Sequence, residues 1–321
     1  MGSDACIVTH TDLDGVASAA LVLKHLRMRG INDVEMSLTQ PHNLYTAIKK
    51  IKCDELYICD LGINHTTYHL LINEVDALRK SGVTLYWFDH HIWQDSWVAH
   101  LTELGVNLHV DVGTCTAGVV ARVLKLEDDN SLKLVKATCS NDLWIFNDYL
   151  GNYLSRYVVC KPGNKWRKQL INKLIDFDGI LSDELIKCAE NVIDRDLKVF
   201  KSAIKNSFLL NVGGIKVAIT MKEWEESSTS FVAHYIMSRL NADVVIVFKE
   251  GSLSIRSNEL NIRELAVRLG GGGHPKAAGA PFKLPILYRF LIALGIRKPV
   301  LRYCGKVIAN ELTNLNLSKG A

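Results

Sequence analysis

Short apolar runs that stop on clusters of acidic and histidine side chains are the strongest constraint in this sequence. Residues 5–9 run into His10-Thr11-Asp12-Leu13-Asp14-Gly15. Residues 56–59 run into Asp60, and residues 85–88 run into Asp89-His90-His91. Apolar runs this short, bounded by polar residues, read as buried strands. Further strands are expected over 33–38 and 106–110, with the run 83–88 as a fourth strand. Between them, residues 15–29, 66–80, 116–125 and 132–141 place apolar side chains at helical spacing. Strand–helix alternation predicts a parallel sheet with helices on both faces. In such sheets ligands sit outside the carboxyl ends of the strands, which is where the polar clusters fall.

The 321 residues suggest two domains. With 48% hydrophobic and 22% charged residues, a disordered tail, a collagen-like fibre and a small disulfide scaffold are excluded. No apolar run is long enough to span a bilayer, so no membrane partner is expected. Polar residues arrive by Thr9, so no signal peptide is expected. None of the eight cysteines forms a C-x-x-C pair, which argues against a zinc ribbon. They are expected to be small buried hydrophobes in a reducing cytoplasm.

The character changes over 151–175, where Arg156, Lys161, Lys165, Arg167, Lys168 and Lys173 fall before any Asp or Glu. Residues 183–206 read as a long charged connector helix. A second block follows. Strands are expected over 208–212 and 215–220 around Gly213-Gly214, a helix over 228–240, and a hairpin over 243–256 around Glu250-Gly251. The expected architecture is α/β: a catalytic domain over 1–182, a connector over 183–206, and a smaller α/β substrate-binding domain over 207–321, with a cleft between the domains.

A single Asp at a strand end is ordinarily a helix cap or a turn residue. Several carboxylates packed together are costly unless cations neutralise them. Asp142, after the helical stretch 132–141, adds a fourth cluster. Mixed histidine and carboxylate donors suit Mn²⁺ better than Ca²⁺. Two such ions about 3.5–4 Å apart clamp a phosphorus centre for in-line attack.

The series His10-x-Asp12-x-Asp14-Gly15, Asp60, Asp89-His90-His91 and Asp142 resembles the DHH phosphoesterase superfamily. That group includes RecJ-like exonucleases, nanoRNases, pAp phosphatases, cyclic-dinucleotide phosphodiesterases and family II pyrophosphatases. The resemblance implies two divalent ions, with Mn²⁺ preferred and Mg²⁺ or Co²⁺ as substitutes. His10 and Asp12 would hold the first, Asp14, His90 and Asp142 the second, and Asp60 would bridge them. His91 would contact the substrate phosphate, and Asp89 would orient a neighbouring histidine. Relatives often carry glycine before the fourth-motif Asp, whereas this chain has Cys139-Ser140-Asn141-Asp142. Asp148 is the competing assignment.

Four glycines, Gly270 to Gly273, precede His274-Pro275-Lys276-Ala277-Ala278-Gly279. Without Cβ atoms the backbone reaches conformations that bring N–H groups close to an anion. The small residues 277–279 are expected to begin a closely packed helix. Together with Ser254-Ile255-Arg256-Ser257, the segment resembles the DHHA1 domain. That likeness implies substrate contacts from Arg256, Ser257, Gly271, Gly272, Gly273 and His274, and sets the chain apart from family II pyrophosphatases.

Tyr153, Tyr157 and Trp166 interleave the basic stretch 151–173. Lys283, Arg289, Arg297, Lys298, Arg302, Lys306 and Lys319 stand against Glu311 in the C-terminal stretch. Basic surface with aromatic rings suits single-stranded nucleic acid, although a solvated face with core aromatics accounts for it equally. Trp93 and Trp97 are read as base-stacking or core residues in equal measure. The compact form, with no room for an added OB-fold, resembles nanoRNases and small RecJ-like nucleases. It implies a 5′–3′ exonuclease on single-stranded DNA or RNA, short oligonucleotides included. A pAp phosphatase or (cyclic) dinucleotide phosphodiesterase, and a nuclease-like scaffold subunit of a DNA replication or repair complex, are the alternatives. The family also includes scope for a DNA translocase or helicase partner docking on 283–321, and for a homodimer.

Overall fold

The computed structural model describes residues 2–223, 228–249 and 251–315. Glu250, expected in a hairpin turn, and Lys319, in the basic tail, lie outside the described residues. The chain divides into two compact units, Met1–Glu190 and Asn191–Ala321.

In the first unit, β1 (Ser3–Thr9), β2 (Val34–Leu38), β3 (Cys53–Cys59), β4 (Thr84–Asp89) and β5 (Asn107–Val110) form one sheet. Its order is β2-β1-β3-β4-β5, and every pair is parallel. The chain adds β2 on one side of β1 and β3 on the other, so the switch point lies between β1 and β3. Both faces are covered. Ile7, Tyr57, Cys59 and Phe88 pack towards α1 (Leu13–Met28), α5 (Thr116–Val123), α6 (Asp129–Asp142), α7 (Tyr149–Val159) and α8 (Asn164–Leu174). Val8, Leu56, Ile58, Leu85 and Trp87 pack towards α2 (Leu44–Ile48), α3 (Tyr68–Lys80) and α4 (Asp95–Glu103). Burial on both faces explains why the strands read as continuous apolar runs.

The basic stretch forms α7 and α8, with Trp166 buried against Tyr157, its lysines exposed, and Arg156 and Arg167 half-buried. The expectation for the cysteines is corrected in part. Cys115 pairs with Cys139 and Cys160 with Cys188, with Cα atoms 5.0 and 5.7 Å apart, a separation that suits a disulfide. Cys6, Cys53, Cys59 and Cys304 are free and buried, as expected.

The second unit is built on a six-stranded sheet of order β10-β11-β9-β8-β7-β6. The strands are β6 (Phe208–Val212), β7 (Ile215–Met221), β8 (Val244–Lys249), β9 (Gly251–Ser257), β10 (Gly272–Gly273) and β11 (Ala277–Phe282). Only β7 and β8 run parallel. Its helices are α10 (Thr229–Leu240), α11 (Arg263–Arg268), α12 (Ile286–Ala293) and α13 (Lys298–Thr313), and α9 (Asp183–Lys205) runs through the division between the units. Val300, Leu301, Cys304, Ile308 and Leu312 of α13 cover one sheet face with Val217, Ile246 and Ile255. Residues 277–279 form part of β11, not the start of a helix. The glycine segment folds back tightly on it: a Cβ on Gly271 would meet the Gly279 carbonyl oxygen at 2.0 Å. Among the described residues no helix is long and apolar enough to cross a membrane.

Candidate metal centre

Thr9 of β1 pairs with Cys59 of β3, and Cys59 pairs with Phe88 of β4. The three strands therefore end nearly abreast, and His10 and Asp60, the residues after β1 and β3, emerge beside Asp89, the last residue of β4. His10 Nδ1 lies 2.9 Å from Asp12 Oδ2 and 3.4 Å from Asp60 Oδ2. His90 Nε2 lies 3.6 Å from both Asp14 Oδ2 and Asp60 Oδ1, and 3.3 Å from Asp142 Oδ2. The donor groups here include His10/Asp12/Asp60 and Asp14/Asp60/His90, each with its ligand atoms within 4.8 Å of one another. Asp60 belongs to both, and also to a third such group with Asp89 and His91. Asp148 instead caps α7 by accepting from Leu150 N, with Lys136 Nζ 3.6 Å away.

Local structure makes this convergence possible. A Cβ on Gly15 would come within 2.5 Å of the His10 carbonyl oxygen, so the loop closes only on glycine. Asp12 caps α1 by accepting from Gly15 N through Oδ1 at 3.1 Å, which leaves Oδ2 facing His10 Nδ1. Asp14 is buried in the first turn of α1 and takes the Thr116 and Ala117 amides, both at 2.8 Å. The N-terminus of α5 thus directs its positive dipole end at that carboxylate. Asp60 has φ of 55°, a left-handed conformation that Asp tolerates at a cost of order 1 kcal/mol.

The electrostatics are those of a cluster short of positive charge. Burial, with the Asp60 and Asp142 charges, holds Asp14 well above the usual carboxylate range. Burial likewise pushes Asp142 up to about 7, helped by Asp60 and opposed by His90. Burial works against charge on His10 and His90, yet the surrounding carboxylates lift them to about 12 and about 11. Protons collect here because carboxylates are crowded together, and divalent cations would satisfy the same demand. The donors in both groups are carboxylate oxygens and imidazole nitrogens, a set that fits a divalent ion.

Asp89 is fully buried. Its Oδ1 lies 2.8 Å from His91 Nδ1, and Trp93 Nε1 donates to its Oδ2 at 2.6 Å. Burial opposes charge on His91, but Asp89 raises it to about 9. The His91 side chain is 36% exposed against 1% for His90, so of the two only His91 reaches solvent. Trp93 packs edge-on against Trp87 in the core, and Trp97 stacks on Tyr68 at 5.2 Å.

Several partners escaped the sequence reading. Gln40 Oε1 lies 3.1 Å from His10 Nε2, and its amide donates to Thr11 Oγ1 at 2.7 Å. It stands just past β2, so the same strand-end rule would have found it. Thr116 Oγ1 donates to Asp60 Oδ1 at 3.3 Å. Arg167 Nε donates to the Thr11 carbonyl at 2.7 Å, and its place in the acid-free segment was the available signal.

In the second unit, Arg256 faces α10, where its Nε and Nη2 donate to Ser230 Oγ at 3.2 and 3.1 Å. Its Nη1 donates to the Ala278 carbonyl at 3.2 Å. Ala277, just after the glycine segment, pairs in register with Arg256. Gly272 and Gly273 form β10, and the chain turns back through His274, whose N–H donates to the Ala277 carbonyl at 2.9 Å. Ser257 is buried, and its hydroxyl donates to the Asp243 carbonyl while accepting from Leu260 N. Both bonds tie the hydroxyl to its own unit.

The sequence matches the family model for the DHH family, N-terminal domain, over residues 4–142, and that for the DHHA1 domain over residues 214–294. No curated protein matches the chain in sequence. Among solved structures, an exonuclease RecJ bound to manganese is 16% identical, with a TM-score of 0.55 over 88% of this chain and 86% of that one. The pGpG-specific phosphodiesterase PggH of Vibrio cholerae is 16% identical, with a TM-score of 0.53 over 90% and 97%. An exopolyphosphatase-related protein of Bacteroides fragilis is 14% identical, with a TM-score of 0.54 over 94% of each chain. At these identities the likeness is one of fold. With both domain models matched in order, the chain belongs to the DHH/DHHA1 phosphoesterase superfamily.

Proposed function

We propose that this protein is a metal-dependent phosphodiesterase that works as a RecJ-like 5′–3′ exonuclease on single-stranded DNA or RNA, short oligonucleotides included. The observation that carries this reading is Asp60, common to two donor groups that could each hold a divalent ion. When bound, a pair of ions, Mn²⁺ for preference, polarises the phosphoryl group and supplies a nucleophile near neutral pH.

His10 and Asp12 would hold one ion, Asp14, His90 and Asp142 the other, and Asp60 would serve both. The Thr116 and Ala117 amides fix the Asp14 carboxylate, and Gln40 fixes the ring of His10. His91, oriented by Asp89, donates to a non-bridging phosphoryl oxygen as charge builds there. Arg256, held by Ser230, pairs with a substrate phosphate beside the glycine-rich strand. The 5′ polarity and the choice of Mn²⁺ over Mg²⁺ or Co²⁺ come from the family likeness and the donor set.

The test is digestion of 5′-labelled and 3′-labelled DNA and RNA, from dinucleotides to about 40-mers, with pAp alongside and with Asp60→Ala as control. Mononucleotide release from the 5′ end of long strands, lost in Asp60→Ala, is expected. Turnover confined to pAp or the shortest oligomers identifies a nucleotide-processing enzyme instead. No hydrolysis with Mn²⁺, Mg²⁺ or Co²⁺ leaves a scaffold role. Wild-type activity in Asp60→Ala overturns the two-ion assignment.

A further inference from the structure

A cavity of about 230 Å³ opens in the second unit where α9 ends, β6 begins and α13 starts. Lys205, Arg297, Lys298 and Arg302 line it over an apolar base of Phe208 and Leu301, and no Asp or Glu belongs to the lining. Glu223 pairs with Arg297. Among the described residues no carboxylate pairs with Lys205, Lys298 or Arg302. Clustered like charges repel one another, and a concave wall concentrates their field.

The start of α13 adds to that field. Its N-cap, Arg297, makes no side-chain capping bond, and its first turn holds no acidic residue. The positive end of a 16-residue helix therefore adjoins the four cations without a carboxylate of its own.

The cavity lies apart from the residues already considered in this unit. It adjoins β6, one edge of the six-stranded sheet, whereas the glycine-rich β10 forms the other. Five strand spacings of about 4.8 Å, roughly 24 Å, separate those edges, and Arg256, on β9, stands three spacings, roughly 14 Å, from β6. No single phosphate could touch both.

We propose that this cavity is a second phosphate-binding site, which takes a backbone phosphate of a nucleic-acid strand at a distance from the one held at Arg256. Its volume falls below the roughly 300–1,000 Å³ of a drug-sized ligand pocket, which suits one phosphate group with its sugar. The inference rests on the reading of the substrate as single-stranded nucleic acid. It adds that long strands are held at a point that dinucleotides never reach.

The test pairs Lys298→Gln with Arg302→Gln in the full chain, since both side chains are exposed. Binding of a 20-mer is expected to weaken about tenfold, and the slope of log affinity against log salt to fall by about 1.4, at 0.7 per single-strand phosphate contact. Dinucleotide turnover is expected to stay within about twofold of wild type. Unchanged 20-mer affinity and salt slope, in a protein that binds single strands, overturn the proposal and leave the enzymatic reading intact. If the wild-type protein binds no strand, that reading fails, and a titration with inorganic phosphate and AMP followed by amide NMR decides the site. Shifts confined to residues 205–208 and 297–302, absent from the double variant, assign it to a free phosphate or nucleotide. Absence of such shifts overturns it.

Discussion

Asp142, the last residue of α6, places Oδ2 3.3 Å from Nε2 of His90, the residue that follows β4. The strand-end clusters come from three adjacent strands, but this carboxylate arrives from a helix packed on one face of the sheet. That relationship distinguishes Asp142 from Asp148, whose side chain caps α7.

Asp142→Asn is therefore expected to weaken metal binding by about 10–100-fold and to lower turnover with it. Added Mn²⁺ should raise the melting temperature of the wild-type protein, since a ligand at 100 times its Kd stabilises by about 2.7 kcal/mol. The shift should shrink in Asp142→Asn. Asp148→Asn should keep the metal-induced shift and lose about 1 kcal/mol or less, because Asn also caps helices. Thermal melts with and without Mn²⁺ check both variants, and an unchanged shift in Asp142→Asn counts against the assignment.

Ser230 Oγ accepts from both Nε and Nη2 of Arg256. If Arg256 grips the substrate, Ser230→Ala should raise KM several-fold and leave kcat near wild type. Arg256→Ala should cost about 10–100-fold in kcat/KM, the worth of a charge-assisted hydrogen bond to phosphate at about 1.5–3 kcal/mol. Steady-state kinetics on a short oligonucleotide separate the two effects. Equal loss of kcat in Ser230→Ala would mean that the serine does more than position the arginine.

Cys115 caps α5, and Cys139 lies on α6 near Asp142, with 24 residues of sequence separation between them. A bridge over a loop of that length stabilises by about 3 kcal/mol. Under oxidising conditions Cys139→Ser should unfold at lower denaturant by that amount. With dithiothreitol present the difference from wild type should close. Equal stability of the two proteins in oxidant would show that the thiols are not paired in solution.

Asp128 caps α6 by accepting from Ser131 N, and Lys24 Nζ lies 2.7 Å from its carboxylate. Burial tends to raise it, but Lys24 and Ser131 hold it down at about 2, below the ordinary 3.8. A depressed carboxylate contributes stability above its unfolded value and loses it as pH falls through the folded one. Asp128→Ala should cost about 1 kcal/mol at pH 7. The gap should narrow between pH 4 and pH 2. Urea unfolding at pH 7 and pH 3 measures it, and a gap that widens on acidification would contradict the sign.

Much of the centre was legible because a parallel sheet converts sequence position into spatial position. Once 5–9, 56–59 and 85–88 are strands in one sheet, the residues after them must emerge together. The registers Thr9–Cys59 and Cys59–Phe88 place His10, Asp60 and Asp89 abreast. The short strand β11 was misread because Ala277, Ala278 and Gly279 carry little local preference, and only the backbone of β9 and β10 beside them makes the strand. The disulfide pairs were not legible either, since thiols far apart in sequence meet only when α5 packs on α6 and α7 leads towards α9.

The sequence by itself determined which chemical groups crowd the strand ends, because strand period and apolar run length are local properties of the chain. Tertiary structure alone decided which partners hold them. Gln40 reaches His10, Thr116 reaches Asp60, Arg167 reaches Thr11 and Ser230 reaches Arg256 across segments that no periodicity links. Those contacts depend on helix packing against the sheets. Packing is fixed by the fit of many side chains at once, and so it is written in no single stretch of residues.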